Sequence, residues 1–136
     1  MINKKNYSTS INDIFNVIDK YKHESILLVT GKKSYESSGA KKVIDKLIFK
    51  KNYIHFDDFS VNPKLDEAIL GAKHASEKKI DLIISVGGGS VLDMSKIIKA
   101  LIDQYDNAYR IASGVDKFAD NGIPIIAIPT TAGSGS

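Results

Sequence analysis

Cysteine is absent from the 136 residues, so neither a disulfide framework nor a thiolate metal site is available, and a reducing compartment is the fitting environment. No apolar run approaches the roughly 18 residues of a membrane span. The opening stretch MINKKNYSTS is polar throughout and lacks the apolar centre of a signal peptide. These absences predict a cytoplasmic protein with no membrane partner. Arginine is scarce, with Arg110 standing alone, and the lysines are spread in pairs at 32 and 33, 41 and 42, 50 and 51, and 78 and 79, for a net charge of only +3. A nucleic-acid surface would gather Lys and Arg into one stripe with interleaved aromatics, so no nucleic-acid partner is expected. Repeats, low-complexity segments and linkers are missing too. What remains is the length of one ordinary domain, able to bury roughly two thirds of its unfolded surface.

Two kinds of segment alternate within that length. Unbroken apolar runs occur at Ile26–Thr30 (ILLVT), Leu82–Val86 (LIISV) and Ile123–Ile128 (IPIIAI), with a weaker, more peripheral one at Tyr53–Phe56 (YIHF). Runs without polar alternation mark strands buried on both faces, as in a parallel sheet. Helical spacing links them: Ile11, Ile14, Phe15 and Ile18; Ala40, Val43, Ile44, Leu47 and Ile48; Leu65, Ala68, Ile69 and Ala72. Asn62–Pro63 reads as a helix start, Val91–Ile102 as a more deeply buried helix, and Tyr105 to Gly122 as an irregular loop. The order α-β-α-β-α-β-α-β predicts a doubly wound, mainly parallel α/β sheet. After the last strand comes PTTAGSGS with no helix following it, although such a loop normally feeds one; the sequence reads as cut short.

Chemistry concentrates in two loops. In ISVGGGSVLDMSK the glycines Gly87, Gly88 and Gly89 follow a strand and precede a helix, which brings backbone N–H groups and the positive end of a helix dipole to one point. Three consecutive glycines are entropically costly, and close approach of a phosphate explains them. Leu92 stands where a G-x-G-x-x-G fingerprint needs Gly or Ala. A purely local alternative is that Ser90 and Asp93 form a capping box and the glycines a tight turn. PTTAGSGS is a second such loop, with hydroxyl donors at Thr130, Thr131, Ser134 and Ser136, and it leaves a strand on the same edge. Two loops of this kind suggest a pyrophosphate and a nucleotide. The histidines 23, 55 and 74 show no paired ligand spacing and read as surface or packing residues.

With VTGKKS at Val29–Ser34, SVNPK at Ser60–Lys64, GGGSVLDMSK at Gly87–Lys96 and IPTTAGSGS at Ile128–Ser136 in one order, the chain resembles the amino-terminal half of an iron-containing (group III) alcohol dehydrogenase. Dehydroquinate synthases resemble it in part but carry Leu-Leu where Ala132–Gly133 stand, and glycerol dehydrogenases usually have Lys in place of Ser90. The resemblance implies a Rossmann-like domain, residues 1–136, binding a nicotinamide dinucleotide. Gly88, Gly89 and Ser90 would cradle the pyrophosphate, Asp93 would lie toward the nicotinamide, Thr130, Thr131 and Ser134 would contact the cofactor from the second loop, and Asn62 would line the adenine-side groove. A separate helical carboxy-terminal domain would supply one Asp and three His to Fe2+ or another divalent metal such as Zn2+. This fragment alone is therefore expected to be inactive, with no catalytic or metal residue of its own, and its exposed face could make it a homo-oligomer. Phe59–Ala68 (FSVNPKLDEA) resembles the branch containing phosphonoacetaldehyde reductases; the substrate would be a small alcohol or aldehyde.

The tip after Thr30 bears on cofactor choice. NAD-selective sites place a carboxylate there to bond the ribose 2′-OH, and similar family members that prefer NAD carry Asp at position 31. Here Gly31, Lys32, Lys33 and Ser34 offer no carboxylate, two cations and a hydroxyl, which predicts a preference for NADP over NAD. The alternative from a different class is a free-standing nucleotide-binding module without chemistry; codons after Ser136 for a helical domain with Asp and clustered His would decide between them.

Overall fold

Branched apolar runs build the centre of a parallel five-stranded sheet in the computed structural model, which describes residues 6–8, 25–48, 51–60, 64–114 and 122–130. The strands are β1 (Asn6–Ser8), β2 (Ser25–Thr30), β3 (Asn52–Phe56), β4 (Leu82–Val86) and β5 (Ile125–Ile128), in the spatial order β1-β5-β4-β2-β3. Every neighbouring pair is parallel. The helices are α1 (Lys33–Ser37), α2 (Ala40–Ile48), α3 (Leu65–Glu77), α4 (Gly89–Leu101) and α5 (Ala108–Ala112), with a 3-10 turn at Tyr105–Asn107.

Successive side chains of a strand point to opposite faces, and the core divides accordingly. Ile26 and Leu28 of β2 join Leu82, Ile84 and Ile126 under Tyr35, Ala40, Ile44 and Ile48 of α1 and α2. Leu27 and Val29 join Ile83 and Ile125 under Ala68, Ala72, Met94 and Ile98 of α3 and α4. Each fully buried Ile or Leu contributes about 1.5–3 kcal/mol, so β2 and β4, buried almost end to end, anchor the sheet. Strand β3 is the weaker edge, as its sequence predicts, with only Phe56 buried.

Helix α2 buries Ala40, Ile44 and Ile48, one per turn, while Lys41 pairs across the outer face with Asp45 at 2.7 Å. Helix α3 presents the small residues Ala68, Gly71, Ala72 and Ala75 to the core. At Gly71 an added Cβ would lie 2.7 Å from Ile98 Cδ1 and 3.1 Å from Phe56 Cε2, so glycine sets how closely α4 approaches.

Four expectations need correction. β1 comes from a stretch read as merely polar; its backbone pairs with β5, Tyr7 opposite Ile126. The segment read as an irregular loop from Tyr105 contains the 3-10 turn and α5, because Tyr105, Ala108 and Ile111 recur at helical spacing and pack on the core. The last strand begins at Ile125, since Pro124 lacks the N–H a ladder needs. Helix α3 begins at Leu65 with Lys64 as its N-cap. Asn62, Pro63 and the Ile11–Ile18 periodicity lie outside the described residues.

Candidate functional site

The strand order fixes where a ligand cleft belongs. The chain moves outward from β2 to β3, then crosses back to place β4 on the other side of β2. A cleft opens where such connections diverge, outside the carboxyl ends of the strands. The register carries Thr30 beside Val86 and Val86 beside Ile128, so three strands end at one level. The Gly87 N–H donates to the Ile128 carbonyl at 3.1 Å and holds the turns after β4 and β5 together.

A cleft of about 440 Å³ lies at the divergence point, lined by Gly31, Lys32, Lys33, Phe59, Ser60, Gly88, Ser90 and Val91. Thus Gly31 and Lys32 from the β2 tip meet Gly88 and Ser90 from the start of α4. The sequence places these groups almost sixty residues apart; the parallel pairing of β2 with β4 brings them together.

The three glycines have separable reasons. Gly87 has φ +153°, and a Cβ there would sit 2.6 Å from Val91 Cγ2, so the fold itself requires glycine. Gly88 is the N-cap of α4 in extended conformation. At Gly89 a Cβ would meet nothing within 4 Å, and its φ is not positive. No contact among the described residues explains that glycine, whereas a ligand resting on the helix start would.

The capping-box alternative for Ser90 and Asp93 does not hold. Helix α4 starts two residues earlier than that reading requires, Ser90 lies inside it, and no side chain caps the N-cap position. The first N–H groups of a helix have no partner within it, and among the described residues no side chain caps this start, where Gly88 and Ser90 line the cleft. Asp93 is exposed one turn into α4 and does not line the cleft. Ser34 lies in α1. Thr130 has a buried hydroxyl without a hydrogen-bond partner among the described residues and lines a neighbouring hollow of about 310 Å³ with Ser38, Gly39, Ala40, Val43, Ile128 and Pro129. Asn62, Thr131 and Ser134 lie outside the described residues.

Sequence reasoning missed the wall formed by the β3–α3 loop. Phe59 stacks on Phe56 with ring centroids 5.6 Å apart. Ser60 is held by Glu67, whose carboxylate accepts from the Ser60 N–H at 2.9 Å, the Ser60 hydroxyl at 3.1 Å and the Lys64 N–H at 2.9 Å. The Lys64 backbone bond, joined by those from Ser60, holds the Glu67 carboxyl below its usual pKa against the opposing effect of burial. Glutamate three residues after the helix boundary is the readable signal for this clamp.

The β2 tip is held from its other side. The Thr30 hydroxyl donates to the Gly31 carbonyl at 2.9 Å and lies 2.8 Å from His55 Nε2. With the hydroxyl proton committed to Gly31, Nε2–H is the donor, which fixes the neutral tautomer. Tyr35 meets His55 edge-on at 5.2 Å. Although His55 keeps much of its surface in solvent, partial burial of the ring lowers its pKa, opposed by Asp57 and Asp45. A hollow of about 580 Å³ around Ser25, Asn52, Lys78 and Asp81 lies at the amino ends of the strands, away from the glycine loops.

Fold and cleft together define a doubly wound α/β domain with a cleft at the topological switch point. The iron-containing alcohol dehydrogenase pattern matches residues 6–136, and the chain belongs to that family. It is 34% identical over 130 residues to the long-chain primary alcohol dehydrogenase AdhA of Thermoanaerobacter ethanolicus, covering 93% of this chain and 32% of that protein. It is 32% identical over 113 residues to the 4-hydroxybutyrate dehydrogenase of Cupriavidus necator, covering 81% of this chain and 29% of that enzyme. The sulfoacetaldehyde reductase of Bifidobacterium kashiwanohense, solved in complex with NAD+, superposes with a TM-score of 0.78 at 25% identity, covering 99% of this chain and 36% of that one. The chain thus spans about a third of the length of these relatives. Among the described residues no group of three or more His, Cys, Asp or Glu is placed to hold a metal, and no helix is long and apolar enough to cross a membrane.

Proposed function

We propose that residues 1–136 form the cofactor-binding domain of an NAD(P)-dependent, metal-dependent alcohol dehydrogenase or aldehyde reductase, completed by a helical domain that carries the metal ligands. The observation that carries this reading is the cleft in which the β2 tip and the uncapped start of α4 converge. The donor set fits a dinucleotide. Gly88, Gly89 and Ser90 present N–H groups and an open surface to a pyrophosphate, Lys32 and Lys33 stand where the adenosine ribose belongs, and the Thr130 hydroxyl, without a partner among the described residues, is available to a ligand from the β5 loop. Asn62, Thr131 and Ser134 are assigned to the same cofactor, and Asp93 to its nicotinamide side.

When bound, a nicotinamide supplies hydride transfer to or from a carbonyl carbon, and a divalent metal polarises the substrate oxygen. The chain's own part is positioning. Helix α4 offers its positive end to the pyrophosphate. The Glu67 clamp holds the loop carrying Phe59 and Ser60 as one wall, and the His55–Thr30 pair fixes the backbone at Gly31 as the other. With no carboxylate on the β2 tip itself and two cations there, the site favours NADP(H). For the substrate we place the enzyme among reductases of short aldehydes bearing an anionic group. Phe59–Ala68 supports this through its similarity to phosphonoacetaldehyde reductases, and so does the likeness to a sulfoacetaldehyde reductase.

Titration calorimetry with NADP+ and NAD+ tests the cofactor reading; both should bind the folded chain weakly, NADP+ more tightly. In the whole enzyme Gly31→Asp should invert the ratio of kcat/KM for NADPH and NADH. A folded sample that binds neither cofactor at millimolar concentration would remove the basis of the proposal.

A further inference from the structure

Strand β3 runs parallel to β2, with Phe56 opposite Val29, so the residues following Phe56 leave the sheet beside Gly31 and Lys32. Those residues are Asp57 and Asp58. Asp58 Oδ1 lies 3.9 Å from Lys32 Nζ, and Lys32 lines the cleft. The β2 tip therefore lacks a carboxylate in sequence but has one in space. The linear motif hides this, because the acidic side chain comes from the neighbouring strand.

We propose that Asp58 is a specificity-determining residue that restrains the preference for a 2′-phosphorylated cofactor and keeps the site open to NAD(H). This rests on the dinucleotide reading of the cleft. The physical basis has two parts. A 2′-phosphate that engages Lys32 must compete with Asp58 for it and also meets the negative charge of Asp58. A cofactor with a free 2′-OH meets no repulsion, and carboxylates accept readily from a ribose hydroxyl. At 3.9 Å the pair is a charge contact without a hydrogen bond, so Lys32 can swing to a ligand. Both side chains are well exposed, 63% for Lys32 and 81% for Asp58, which makes the effect modest and dependent on salt.

The test compares Asp58→Asn with the unchanged protein by direct titration of NADP+ and NAD+ at low and high salt. Asp58→Asn should tighten NADP+ by about threefold to tenfold at low ionic strength, the scale of one or two exposed charge contacts. NAD+ affinity should hold or fall slightly, and the gain for NADP+ should shrink at high salt. Asp103→Asn serves as a control of equal charge change; Asp103 lies beyond the far end of α4, about 20 Å from its start by helical rise. Equal tightening by both variants, or no change in Asp58→Asn while both cofactors bind, overturns the role of Asp58 and leaves the cofactor site standing. Failure of the unchanged protein to bind either cofactor overturns both.

Discussion

Substituting alanine at Gly87 and at Gly89, two residues apart in one turn, should give opposite outcomes. At Gly87 the backbone sits at φ +153°, where an L side chain is strained by about 1–3 kcal/mol. The new Cβ would also lie 2.6 Å from Val91 Cγ2 and 3.0 Å from Val91 Cβ. Val91 is buried, and a β-branched residue in a helix has one strongly preferred rotamer, so it cannot turn away. Overpacking adds about 1–3 kcal/mol, so Gly87→Ala should lose about 2–6 kcal/mol of stability, a large part of a total near 5–15 kcal/mol. At Gly89 there is neither strain nor contact, and helix propensity favours alanine by up to about 1 kcal/mol. Gly89→Ala should therefore be as stable as the unchanged chain or slightly more so. Its cost should appear in binding: a methyl on the surface proposed for a pyrophosphate would separate that group from charge-assisted donors worth about 1.5–3 kcal/mol each. NADP+ affinity should fall about tenfold or more. Urea unfolding gives the first pair of numbers and calorimetric titration the last. Gly87→Ala matching the original stability, or Gly89→Ala binding NADP+ unchanged, would refute this division of roles.

Further substitutions probe the supporting structure. Gly71→Ala should destabilise by about 1 kcal/mol in thermal unfolding, since overlap with buried Ile98 outweighs the gain in helix propensity. Tyr35→Phe should be neutral or stabilising, because the buried Tyr35 hydroxyl has no partner among the described residues and burial already raises its pKa. His55 has a folded pKa below its ordinary value of 6.5, so its contribution is present above pH 6.5 and is lost as pH falls through the lower folded value. Denaturant midpoints across that window should decline more steeply than in His55→Gln. Glu67 behaves likewise at lower pH: its contribution holds above its ordinary 4.5, and Glu67→Gln should flatten the acid limb while loosening the Ser60 loop.

Much of this is legible in the sequence alone, and the reasons are specific. Strands β2, β4 and β5 are apolar on both faces, a pattern only a covered parallel sheet produces, and GGGS after such a strand locates the cleft. β1 was not legible because Asn-Tyr-Ser carries no apolar signal; backbone pairing with β5 holds it. Helices α1 and α5, five residues each, are too short to show a period. In the site, the glycines and Lys32 could be read locally, whereas Asp58 and Ser60 could not, since their places depend on β3 lying beside β2 and on Glu67 reaching back seven residues.

The central claim is that a nicotinamide dinucleotide sits between the β2 tip and the start of α4. Amide shifts of the isotopically labelled chain during titration with NADP+ test it most directly. The largest changes should fall on Gly31, Lys32, Gly88, Gly89 and Ser90. Changes centred on Lys78, Lys79 and Asp81 at the opposite edge, or none at millimolar cofactor in a folded sample, would contradict it.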